Sequence, residues 1–112
     1  LPVALGVLAL GFVASSCSSN AAAQGDEACR YVHSSLRLFS ASLHDAKDRN
    51  HRAANQESSQ ALTDLRLALP LAAQAAGSDG NWQPLMATLS ESNRVPEVNL
   101  VDALSQQCAG IS

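Results

Sequence analysis

The sequence predicts an all-α protein, a small helical bundle of about four helices, two longer and two shorter, closed by one disulfide. Three observations carry this expectation. From Asp26 to Ala76 apolar residues recur at helical spacing, and Pro70 is the only Gly or Pro among them. Breakers at Ala76-Gly77-Ser78-Asp79-Gly80 and Arg94-Val95-Pro96 then set off two short apolar runs. No stretch alternates apolar and polar residues as a half-buried strand would.

The first long helix is read from Cys29, Val32, Leu36, Phe39 and Leu43, one apolar stripe with polar residues between its members. Asp26 and Glu27 suit its positive N-terminal end. The second stripe runs through Ala54, Ser58, Ala61, Leu65, Ala68, Ala72 and Ala75, widened by Leu62, Leu69 and Ala76. Pro70 removes a backbone donor and crowds the preceding turn, so a kink or short break is expected there. Residues 44–60 carry no large apolar side chain. One helix across 27–76 would run about 75 Å, too long for one small core to cover. A hairpin with its turn near Asn50 or Asn55 is therefore expected, since either residue tolerates the left-handed conformation of a helix stop. A long helix used in a dimer has the same phase. The third helix is expected to be capped by Asn81, with Pro84 in its first turn and Trp82, Leu85, Met86 and Leu89 as its apolar positions. The fourth carries Leu100, Val101, Leu104 and Cys108, with Asn99 and Asp102 as a loose capping box.

The chain has 112 residues, 46% of them apolar, and a formal net charge of −3. That excludes a multi-domain protein, a multi-span membrane protein and a basic nucleic-acid binder. The charges are unevenly placed, because none precedes Asp26. Residues 1–14 are wholly apolar, but as a helix they rise about 21 Å against a hydrocarbon core of roughly 30 Å. That length suits the apolar region of a secretory signal rather than a span. A signal opens with Met and a basic residue, so its own start is expected upstream of Leu1.

Ala14-Ser15-Ser16-Cys17 follows, with Ala14 where Leu is usual. This resembles the lipobox of small bacterial lipoproteins, and the resemblance covers about twenty residues. It implies that Cys17 is lipidated and becomes the mature N-terminus, anchoring an exported protein to the cell membrane on its extracytoplasmic side. Ala21-Ala22-Ala23 offers the alternative of ordinary signal cleavage and secretion. The expected organisation is a signal peptide over 1–16, a flexible tether over 17–27 and the helical domain over 28–112. Either cleavage scheme removes Cys17 from the thiol count and leaves Cys29 and Cys108 in an oxidising compartment, where they are expected to pair. Closing a loop of about 80 residues contributes about 4 kcal/mol on the chain-entropy account.

No constellation nominates a catalytic site: there is no Gly-x-Ser-x-Gly elbow and no phosphate-binding glycine loop. No cofactor is expected. His44, Asp48 and His51 lie at i, i+4 and i+7 and are the weak candidate for a metal site, although about 10 Å separates the two histidines along a helix. His33 falls on the same stripe. Trp82 and Met86 are the candidate partner contact, with closure of the bundle end as the structural role of Trp82. The expected function is a non-enzymatic, envelope-anchored lipoprotein that binds another envelope protein or a cell-wall component. The alternative is a carrier of a small ligand or metal.

Overall fold

The structure, a computed structural model, describes residues 2–111, with side chains from Asn20 onward. Its elements are α1 (Pro2–Lys47), α2 (His51–Ser78), α3 (Gln83–Glu91) and α4 (Val101–Gln107). Two 3₁₀ turns, Gly80–Trp82 and Glu97–Asn99, precede the short helices. No strand occurs among the described residues. The expected signal segment, the lipobox and Cys17 lie outside the residues whose side chains are described. Among the described residues no helix is long and apolar enough to cross a membrane.

Helices α1 and α2 form the expected hairpin, but its turn is built differently. Arg49, not an asparagine, adopts the left-handed conformation, at φ 65°. The Asn50 N–H donates to Asp45 O at 2.8 Å, and the Arg49 N–H donates to Ala46 O at 3.1 Å. These two bonds are a Schellman motif, which satisfies carbonyls that the helix end would leave open. Asn50 acts one step later as the cap of α2, where its Oδ1 accepts from the Ala53 N–H at 3.4 Å. The left-handed residue is thus Arg49, while Asn50, expected to take that conformation, caps α2.

The segment expected as a tether is also different. From Asn20 it is helical and continuous with α1, and Ala21, Gly25 and Ala28 are buried on one face of it. Gln24 Nε2 donates to Gln74 Oε1 at 2.7 Å, joining this turn to α2. The lack of large side chains had suggested nothing to pack. Small residues at i, i+4 and i+7 instead let a neighbouring chain come close. The helical domain therefore begins before residue 28.

Pro70 does not break α2. It is exposed, as is Arg66 one turn earlier, so the carbonyl deprived of its donor lies on the solvent side. Pro84 sits in the first turn of α3 as expected, but that helix has no side-chain cap. Asp79 instead caps the preceding 3₁₀ turn, its Oδ1 accepting from the Asn81 N–H at 3.0 Å. Asn99 and Asp102 do not cap α4, which follows directly on the second 3₁₀ turn.

The core joins Ala28, Cys29 and Val32 of α1 to Leu65, Ala68 and Ala72 of α2, with Leu85, Leu89, Leu100, Leu104 and Cys108 laid over the hairpin. Ala61 and Ala75 are also fully buried, so the second stripe is core along nearly its whole length. The Cys29–Cys108 disulfide, with a Cα–Cα distance of 5.4 Å, ties the end of α4 back to α1.

Candidate functional site

The α1 stripe changes character along its length. Cys29 and Val32 are fully buried, Leu36 and Phe39 are half-buried, and Leu43 is 55% exposed. The cause is a mismatch of lengths. The stripe from Cys29 to Leu43 runs about 21 Å, whereas α4, its cover, is seven residues long and rises about 10 Å. Beyond Ser35 the cover narrows to the Glu97–Asn99 turn and the first turn of α4.

The uncovered part forms a groove of about 320 Å³ lined by Leu36, Phe39, Ser40, Leu43, Val98, Val101 and Asp102. Val98, at 60% exposed, and Leu43 are the two most exposed large apolar side chains among the described residues. Ser40 and Asp102 supply a polar rim. Phe39 also lines a neighbouring cleft with Ser58, Leu62, Arg94, Pro96 and Glu97. The groove therefore combines a rigid helical wall with a wall carried on a short turn.

That turn is fixed from beneath by a buried polar contact. Glu97 is 6% exposed and Ser35 is fully buried. Ser35 Oγ lies 2.7 Å from Ala61 O and 2.9 Å from Glu97 Oε2. Glu97 Oε1 is buried without a hydrogen-bond partner. Burial pushes the Glu97 carboxyl above its ordinary 4.5; the Ser35 hydroxyl opposes that, and the Asp64 carboxylate reinforces it. In the sequence Arg94-Val95-Pro96 reads as a boundary, and Glu97 does not stand out. One signal was available, because Ser35 follows Val32 by three residues and so lies on the core face of α1.

The residues singled out in the sequence fall elsewhere. The Trp82 indole lies against Gly25, where an added Cβ would overlap the ring. Trp82 and Met86 are partly buried and packed on the core. The rest of Trp82 lines a shallow cleft with Asn81, Pro84, Leu85, Gln107 and Ile111. His44 Nε2 lies 3.3 Å from Asp48 Oδ2, with both side chains exposed. His51 opens α2 across the turn, and among the described residues no three His, Cys, Asp or Glu side chains cluster as a metal site would need. His33 has a role of its own. Its Nε2 lies 2.6 Å from Ile111 O and 3.2 Å from Cys108 O. Both partners are carbonyls, so Nε2 carries the hydrogen and clamps the C-terminal turn beside the disulfide.

The opposite face of the hairpin holds a groove of about 660 Å³ lined by Ser34, Arg37, Leu38, Ala41, Gln60, Thr63 and Asp64. Five of its seven lining residues are of polar or charged type. The chain matches no protein-family model, and comparison with characterised proteins and with solved structures finds no match.

Proposed function

We propose that this protein is a non-catalytic, envelope-anchored lipoprotein that binds another protein through the Leu36–Phe39–Leu43 groove. The observation that carries the binding half is the uncovered continuation of the core stripe. Apolar residues that form one face with Cys29 and Val32 emerge into solvent as a contiguous patch with a polar rim, a pattern that marks interaction surfaces. The lipobox-like Ala14-Ser15-Ser16-Cys17 supports the anchoring half. Phe39 lies nineteen residues beyond Asn20 on the same helix, or about 28 Å along its axis. In this reading the helix keeps the groove at a distance from the anchored end, which leaves room for a partner protein.

A photo-reactive amino acid at Leu43 or Val98, expressed in intact cells, tests the reading. Both positions should give the same adduct in the membrane fraction, and the same probe at Leu67, which is 47% exposed away from the groove, should not. Val98→Glu should abolish the adduct from the Leu43 probe, and Leu43→Glu that from the Val98 probe, each while changing stability by less than about 0.5 kcal/mol. Equal labelling at all three positions, or none, overturns the binding half. Intact mass of the same fraction should show a chain that starts at Cys17 and carries acyl groups; a chain starting at Gln24 overturns the anchoring half.

A further inference from the structure

The contact beneath the groove offers one hydrogen to two oxygens. The Ser35 hydroxyl has one, and two oxygens lie within its reach, Ala61 O at 2.7 Å and Glu97 Oε2 at 2.9 Å. If the hydrogen lies on the shorter line, the longer contact is a hydrogen bond only when Glu97 carries a proton and donates it to Ser35 Oγ. If Glu97 is ionised, Ser35 must turn its hydrogen to the carboxylate, and the second oxygen, Oε1, then shares a negative charge while buried with no donor. An unpaired buried charge is among the costliest arrangements in a protein interior.

No neighbouring charge relieves it. Ser35 is the contact from α1 and does not ionise in this range. Asp64 faces it from α2 with a second carboxyl, which pushes the Glu97 carboxyl up rather than relieving it. Arg94 lines the same cleft from the loop after α3, but its Nη2 is bonded to both carboxylate oxygens of Glu91. Asp102 of α4 lines the groove on the far side of the turn and is also acidic.

We propose that Glu97 and Ser35 form a proton-dependent clasp that holds the Glu97–Asn99 wall of the groove in place, so that the partner surface is assembled at low pH and loosens as pH rises. The step is a single ionisation: the Glu97 O–H bond breaks, its proton passes to water, and the buried carboxylate draws the turn outward into solvent. Val98 sits next to Glu97 and forms that wall, so movement of the turn changes the groove directly. The sign follows from the raised carboxyl. The clasp is complete below the ordinary carboxylic range and is lost as pH climbs through the higher value held in the fold. This inference rests on the groove being the partner surface, but its test needs no partner.

The test is hydrogen exchange at the Asn99 and Leu100 amides, which donate to Pro96 O and Glu97 O at 3.0 and 2.8 Å, measured on the whole protein between about pH 4 and about pH 8. Rates are divided by the intrinsic exchange rate at each pH. Protection in the unmodified protein should fall, by up to about tenfold per pH unit, and Glu97→Gln, which keeps a hydrogen for Ser35, should show protection that does not vary with pH. Local amides are the readout because Glu57, beside Asp45, is also raised and would enter a global melt. Flat protection in the unmodified protein, or a parallel fall in Glu97→Gln, overturns the clasp. Should Glu97→Gln not fold, the ¹³C carboxyl shift of Glu97 in the unmodified protein decides. Titration above the ordinary range together with the fall in protection supports the clasp, and ordinary titration overturns it. Failure of the partner reading would appear only in the cross-linking at Leu43 and Val98, so the two are separable.

Discussion

Gly25 is buried although it has no side chain to bury, and the reason is Trp82. The indole occupies the space a Cβ would take, so the one large aromatic in the α2–α3 connection closes the bundle on a bare patch of α1 backbone. Gly25→Ala should therefore destabilise by overpacking, by about 1–3 kcal/mol, which for a domain of this size lowers Tm by about 4–8 °C per kcal/mol. Adding Trp82→Leu should recover part of that loss, because the two positions share one space and their effects do not add. Thermal melts of the three variants and the parent check this, and an unchanged Tm for Gly25→Ala would refute the packing. Little of this was legible beforehand. Trp82 stood out as a large side chain beside a loop, but Gly25 read as part of a tether because packing through absence leaves no apolar signal. Glu97 and Ser35 escaped notice for a related reason: their chemistry arises from burial that depends on the docking of the Glu97–Asn99 turn.

The elements were more readable than their ends. Helical periodicity depends on many residues at once, and the second stripe, from Ala54 through Leu65 to Ala75, is buried where the period places it. Caps depend on one or two side chains, and there the expectation and the structure part: Asp79 in place of Asn81, no box at Asn99, and Arg49 rather than Asn50 or Asn55 in the left-handed region. Arg49 is the more telling case. A side chain with a Cβ is held at φ 65° because the Schellman bonds to Asp45 and Ala46 return more than the strain, which is about 1–2 kcal/mol. Arg49→Gly should relieve that strain and stabilise the hairpin by about 1 kcal/mol. A rise in the urea midpoint with an unchanged m-value would be the expected result, and destabilisation would show that the arginine side chain contributes more than its backbone costs. The groove likewise follows from an element-level mismatch visible in the sequence only as lengths, a stripe of four turns facing a helix of two.

At the scale of the whole molecule, small residues make up much of the second stripe, where Ala54, Ala61, Ala68, Ala72, Ala75 and Ala76 are all buried. Alanine burial removes little apolar area per residue, while each residue ordered costs the usual conformational entropy. A core of this kind leaves a narrow margin, and the Cys29–Cys108 bridge acts where it widens that margin most. It closes a separation of 79 residues, from the middle of α1 to the end of α4, so it restricts the unfolded chain strongly and should contribute about 4 kcal/mol. It also fixes α4 against α1, and α4 supplies Val101 to the groove while following directly on the turn that carries Val98 and Glu97. Loss of the bridge should consequently be felt in two ways. The Cys29→Ser, Cys108→Ser variant should lose most of its stability in urea, and its residual folded fraction should show weaker protection at Asn99 and Leu100 than the parent under the same conditions. The His33 contacts to Cys108 O and Ile111 O would then be the remaining tie on the C-terminal turn, so His33→Ala should cost more in the reduced protein than in the oxidised one. If the serine variant instead melts within about 1 kcal/mol of the parent, less than the chain-entropy contribution requires, the hairpin and its alanine stripe are sufficient alone, and the groove does not depend on the bridge.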